Sequence, residues 1–230
     1  MQKKLIIGNW KLNPISLKEA QALAAKIDRS PLHETVICPP MVFLSQIHYP
    51  NLGAQDCFWK IKGPYTGQTS AAALKSLGIK YCLVGHSERR ILGEADQEIN
   101  GKIQALLKYK IIPVLCVGYG TTSEEDDLAV VDVLRGQLEI GLTGVDAKKV
   151  IVAYEPVWAI GTGKPATAEH AEKIAIYIKN KHGAGRVIYG GSSNSANARD
   201  FLSQPNIDGL LPGGASLIPE DFNKIINLET

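Results

Sequence analysis

Proton transfer next to an anion is the chemistry that several side chains of this sequence suit. In AYEPVWAIGTGK, residues 153–164, Glu155 closes an apolar run and is followed by Pro156 and a second apolar patch. The proline biases Glu155 toward an extended backbone, and a greasy segment folded over a carboxylate strips its water and makes it a better proton acceptor. A lone glutamate at such a place can equally serve as half of an ion pair. His86 follows YCLVG and precedes SERR, where a strand end opening into a short helix would present a neutral imidazole as proton donor. The competing role for a histidine is a satisfied structural one. Lys11 lies two residues after Asn9 in GNWKLN, suited to an anionic substrate or simply solvated, and Glu88 is a candidate partner to hold it. GGS at 190–192 and GG at 213–214 are either plain turns or backbone N–H cradles for a phosphate. The other histidines, His33, His48, His170 and His182, have neighbours that suggest surface helices or loops.

Such residues act only if the elements around them converge. Eight short runs rich in Val, Ile and Leu recur: KLIIGN, TVICPP, NLGAQ, YCLVGH, IIPVLCVG, KVIVAYE, GRVIYGG and DGLLPGG. They are continuous rather than alternating, the pattern of strands covered on both faces of a parallel sheet. Between them, helical spacing marks 16–27, 96–109, 124–140 and 167–180. In the last, Ala168, Ala171, Ile174, Ala175 and Ile178 form one stripe, with Thr167, Glu169 and Glu172 at a capped start. The acidic EEDD at 124–127 suits a helix's first turn.

Eight strands in 230 residues leave about 29 per unit, close to the roughly 30 of a βα pair. This predicts an α/β fold, a single-domain (β/α)8 TIM barrel with eight parallel strands spanning 1–230. A doubly wound open sheet would carry a glycine fingerprint in its first turn, and GNWKLN has none. In a barrel the active site lies at the C-terminal strand ends. That rim gathers Asn9 and Lys11 after strand one, His86 and Glu88 after strand four, and Glu155 after strand six. Gly190, Gly191 and Ser192 follow strand seven, and Gly213 and Gly214 follow strand eight. The last two loops are where barrels often bind phosphate.

GNWKLN, YCLVGHSERR, AYEPVWAIGTGK, YGGS and DGLLPGGASL, in this order, closely resemble the signature segments of the triosephosphate isomerase family, and the resemblance covers almost the whole chain. It implies an intramolecular oxidoreductase of glycolysis and gluconeogenesis, interconverting dihydroxyacetone phosphate and D-glyceraldehyde 3-phosphate through an enediolate, without metal or cofactor. By position, Glu155 matches the base and His86 the neutral acid. Lys11 matches the cation that attracts phosphate and stabilises the enediolate, with Asn9 alongside. A glutamate base paired with a neutral histidine is what resemblance to this family implies. Gly161, Ser192, Gly213 and Gly214 match the phosphate grip. Pro156, Val157, Trp158, Ala159, Ile160, Gly161, Thr162, Gly163 and Lys164 match a closing lid. The resemblance also implies a homodimer, in which the loop carrying Tyr65 and Thr66 reaches the partner subunit's Asn9 and Lys11. Four positions depart from the pattern: Tyr119 where glutamate is common, Pro165 in the lid's second hinge, Asp56 for asparagine and Gln68 for glutamate. Pro165 is expected to narrow hinge motion by fixing one φ angle.

Composition limits the alternatives. Lys plus Arg number 25 against 23 Asp plus Glu, too even to suggest a nucleic-acid or membrane partner. Before Gly8 and Asn9 the N-terminus has too few apolar residues for a signal-peptide core, and no later run approaches membrane-spanning length, so a soluble cytoplasmic protein is expected. Cys38, Cys57, Cys82 and Cys116 are scattered without a CxxC pair and read as reduced core thiols. An aldolase would need a Schiff-base lysine on a strand, whereas Lys80 and Lys149 stand at strand starts. A barrel that has become a non-catalytic binding protein would not need the intact set of Asn9, Lys11, His86 and Glu155.

Overall fold

Eight parallel strands form one sheet in a computed structural model that describes residues 3–122, 127–159 and 166–229. They are β1 (Leu5–Asn9), β2 (Glu34–Cys38), β3 (Gly53–Ala54), β4 (Tyr81–Val84), β5 (Ile112–Val117), β6 (Ile151–Tyr154), β7 (Arg186–Tyr189) and β8 (Gly209–Leu210). The order β2-β1-β8-β7-β6-β5-β4-β3 follows the chain around a ring, with β8 inserted beside β1. A single bridge, Ile37 to Leu52, joins β2 to β3 and completes the barrel. Every run expected to be a strand contains one, although β3 and β8 keep only two residues each.

Alternation along each strand sorts the side chains. Leu5, Ile7, Leu83, Val114, Cys116, Ile151, Ala153 and Ile188 pack together inside the barrel. Their neighbours Ile6, Cys82, Leu115, Val152, Tyr154, Val187 and Tyr189 point outward into a second core beneath the helices. The inward set therefore continues into Asn9 and Glu155 at the mouth, one residue past which the outward set places Trp10.

Helices fill most connections: α1 (Leu17–Ala25), α2 (Ala71–Ser76), α3 (Ser87–Ile91), α4 (Asp96–Lys108), α5 (Asp127–Gly141), α6 (Ala168–His182), α7 (Ala198–Leu202) and α8 (Pro219–Ile226). Between β2 and β3 the chain makes only a 3-10 segment, Met41–Gln46. On α6 the buried residues are the predicted stripe, and Thr167 caps it by accepting the N–H of His170. All four cysteines are free and buried.

Candidate active site

The strand ends bring Asn9, Lys11, His86, Ser192, Gly213 and Gly214 to the wall of one cavity of about 360 Å³. Glu155 lies beside it, only 1% exposed. Its Oε1 stands 3.6 Å from His86 Nε2, and its Oε2 accepts the backbone N–H of Ser87 at 3.2 Å. The base candidate and the acid candidate thus face one another at contact distance.

His86 is the N-cap of α3, and its Nδ1 accepts the N–H of Glu88 at 3.2 Å. A ring nitrogen that accepts carries no proton, so the proton of the neutral ring lies on Nε2, directed at Glu155 and the mouth. Arg90 locks this corner: its guanidinium donates to the carbonyls of Gly85 and Cys116 and pairs with Asp96. Beneath Glu155, burial pushes the Cys116 thiol up, and the nearby carboxylate adds to the effect.

Two glycines make the base's position possible. A Cβ on Gly118 would stand 2.3 Å from the Glu155 carbonyl oxygen, where φ is +118°, and a Cβ on Gly190 would stand 2.7 Å from Glu155 Cγ. The first glycine of GGS therefore clears room for the carboxylate.

On the opposite wall, Lys11 has φ +54° and its Nζ donates to Glu88 at 2.6 Å, the pairing anticipated from sequence. Its N–H donates to Asn9 Oδ1, while Gln55 Nε2 bridges the carbonyls of Lys11 and Cys38. Gln55 went unnoticed in the sequence because its role depends on a strand 44 residues away. Gly213 and Gly214 open the 3-10 turn Gly214–Leu217, whose first N–H groups have no acceptor within the turn and so suit an anion. Ser192 lines the cavity, but its N–H and Oγ both donate to the Ala159 carbonyl.

That contact ties down the 3-10 turn Val157–Ala159, which opens the segment expected to act as a lid. Further along the chain, the N–H of Ala166 donates to the Tyr189 hydroxyl at 3.0 Å, a phenol raised to about 12 by burial. Ile160, Gly161, Thr162, Gly163, Lys164 and Pro165 lie outside the described residues, and with them the hinge expectation. Tyr119 is 38% exposed, its carbonyl held by Gln137.

Two histidines depart from the surface reading. His33 is 6% exposed, because β2 begins directly after it and draws it under the barrel. His170 is partly buried, bonded to the Tyr154 hydroxyl and to Asp127. Lys80 and Lys149 do stand at the opposite end from the cavity, engaged by Asn51 and Asp146.

After β3 the loop is closed at its base by a bridge from Phe58 to Ser70. Phe58 packs on Trp59 and Tyr65, leaving Thr66 exposed at the tip. Asp56 pairs with Arg89 and Lys102.

Comparison with known proteins points the same way. The family model described as triosephosphate isomerase matches residues 4–229. The triosephosphate isomerase of Alkaliphilus oremlandii is 40% identical, over 99% of this chain and 100% of its own. That of Thermoanaerobacter pseudethanolicus is 38% identical over 99% and 100%. That of Aquifex aeolicus is 40% identical over 97% and 98%.

Proposed function

We propose, from the premise that this chain belongs to the triosephosphate isomerase family and so is an isomerase of triose phosphates, that Glu155 and His86 carry out the proton transfer. One observation carries the assignment: Glu155 Oε1 faces a histidine nitrogen at 3.6 Å whose ring is held as a donor by the N–H of Glu88. Glu155 removes a proton from the hydroxymethyl carbon of dihydroxyacetone phosphate, and the electron pair moves onto the neighbouring carbonyl oxygen. Lys11 and the Nε2–H of His86 stabilise that oxyanion, an effect worth roughly 3–4 kcal/mol per well-placed donor. His86 then shifts a proton between the two oxygens, and Glu155 returns its proton to the adjacent carbon, giving glyceraldehyde 3-phosphate. Because the carboxylate now rests on the Ser87 N–H against His86, substrate entry requires it to leave that bond. The N–H groups of Gly213 and Gly214, with Lys11 close by, receive the phosphate, joined by Gly161 and Ser192 when the lid closes over it.

The resting place in the cell is the cytoplasm in this reading; among the described residues no helix is long and apolar enough to cross a membrane. The working form is a homodimer. Leu12 and Ile15 after β1, Tyr65 after β3, and Ile91 and Leu92 after β4 are 41–89% exposed. Those strands lie within the arc of the ring that runs from β1 through β2 to β4, so the exposed apolar residues share one side of the barrel, as an interface requires.

A coupled assay on glyceraldehyde 3-phosphate decides the reading. Wild-type protein turns over, while Glu155→Gln loses about 10²–10⁴-fold in kcat with inorganic phosphate still bound. Near-normal turnover by the variant would remove Glu155 from the role of base.

A further inference from the structure

The strand that ends in Glu155 is held from behind by groups the reaction does not touch. Tyr154, immediately before the base, points outward, is 1% exposed, and its hydroxyl lies 2.8 Å from His170 Nε2 on α6. The other ring nitrogen, Nδ1, lies 2.7 Å from Asp127 Oδ1 at the start of α5. Asp127 Oδ2 in turn accepts from Lys173 Nζ, one turn further along α6, at 2.7 Å. Trp158, in the lid's first turn, packs its ring 6.5 Å from the His170 ring, and Tyr154 packs at 5.8 Å.

The direction of the hydrogen bonds follows from the ends of the chain. A carboxylate only accepts, so Nδ1 carries a proton, and in the neutral ring Nε2 then presents its lone pair to the Tyr154 O–H. Hydrogen bonds from Lys173 and then His170 lower the Asp127 carboxyl from its ordinary pKa, which favours its ionised, accepting form. The arrangement has the form of a base oriented by a carboxylate, but its target is a phenol buried between the barrel wall and the helices and not a substrate. What it orients is the backbone of β6.

We propose that His170 is a positioning residue for the isomerisation: backed by Asp127, it clamps the Tyr154 hydroxyl and supports Trp158, so that the residue between them in sequence, Glu155, is held at a fixed height and angle over the barrel mouth. The proposal rests on the assignment of Glu155 as base. Tyr154 and Glu155 alternate across one strand end, so a rotation that releases the phenol outward turns the carboxylate inward by the same backbone movement. Displacing a reacting group by about an ångström costs up to 10²-fold in rate, whereas the phosphate contacts proposed for Lys11, Ser192, Gly213 and Gly214, made by the β1, β7 and β8 loops, are left alone. The expected signature is therefore a fall in kcat with little change in KM.

Steady-state kinetics and thermal melting of four variants test this. His170→Leu, which fills the space but makes neither hydrogen bond, should lower kcat about ten- to a hundredfold with KM within about a factor of two. His170→Gln, whose carbonyl accepts from Tyr154 and whose amide donates to Asp127, should restore most of that loss. Tyr154→Phe should reproduce the His170→Leu defect, and the double variant should be no slower than the worse single one. If His170→Leu melts earlier but keeps wild-type kcat, His170 is structural and the proposal falls. It falls equally if Tyr154→Phe is fully active, or if the two effects multiply. Should His170→Leu fail to fold, Tyr154→Phe and His170→Gln still decide. Glu155→Gln, assayed beside them, separates the two readings. An inactive Glu155→Gln with a normal His170→Leu leaves the base in place and overturns only the clamp.

Discussion

At the scale of residues, the site is governed by which atoms are already engaged. In the proposed reaction His86 serves as the acid because the Glu88 N–H occupies its Nδ1, and Glu155 fits its place because glycine, not a larger residue, stands at 118 and 190. The sequence made the types and places of these groups visible: a carboxylate before proline, a histidine at a strand end, a lysine after strand one. Burial elsewhere was not visible. His33 looked like a surface histidine, yet burial lowers its pKa from the ordinary 6.5. The sign of the consequence follows from linkage: the unfolded chain takes up a proton at about 6.5 before the folded one does, so acid favours unfolding. His33 is thus neutral and harmless above 6.5, and stability is lost as pH falls through that value toward the depressed one. Urea titrations at a series of pH values from 8 to 5 should show wild type weakening relative to His33→Asn across this window. A constant difference between the two proteins would contradict it.

At the scale of elements, the legible features were those with a short repeat. The eight apolar runs and the α6 stripe follow periods of the chain itself, and each appears where those periods put it. What stayed hidden joins elements distant in sequence: Asp127 of α5 to His170 of α6, 43 residues apart, or Gln55 to Lys11. Such partners leave no local trace, because either residue alone looks like an ordinary polar group on a helix or loop. Lys102 is another case. It lies on α4, 3% exposed, and its ammonium is shared between Asp56 after β3 and Glu94 before the helix. Burial alone would lower the Lys102 pKa, but the two carboxylates outweigh it and raise it. Aspartate at 56 thus gains a purpose that asparagine could not serve as well, supplying charge to both Lys102 and Arg89. Lys102→Met would leave carboxylates enclosed without their cation, at a cost of about 3–5 kcal/mol. Chemical denaturation is the measurement; a loss below about 1 kcal/mol would show that the three-way contact is incidental.

At the scale of the whole molecule, the proposed homodimer makes one barrel half of the working unit, and the exposed apolar side chains after β1, β3 and β4 support that reading. Sedimentation should give wild type a mass of about twice 24.9 kDa. Ile15→Asp, at a position 87% exposed, should shift it to one chain and lower activity together. Full activity in a monomeric wild type would end the dimer reading. The ring order has a different consequence, for the seam at which the barrel closes. β8 enters between β1 and β7, the N–H of Asn9 donates to the carbonyl of Pro212, and Gly213 packs against the Lys11 side chain. Adjoining walls of the cavity are therefore contributed by two strands that meet only when the ring closes. Loosening the seam between β1 and β8 would part Lys11 from Gly213 and Gly214 while leaving Glu155 and His86, on β6 and β4, facing one another, so the fidelity of that closure sets how well the proposed anion seat is formed.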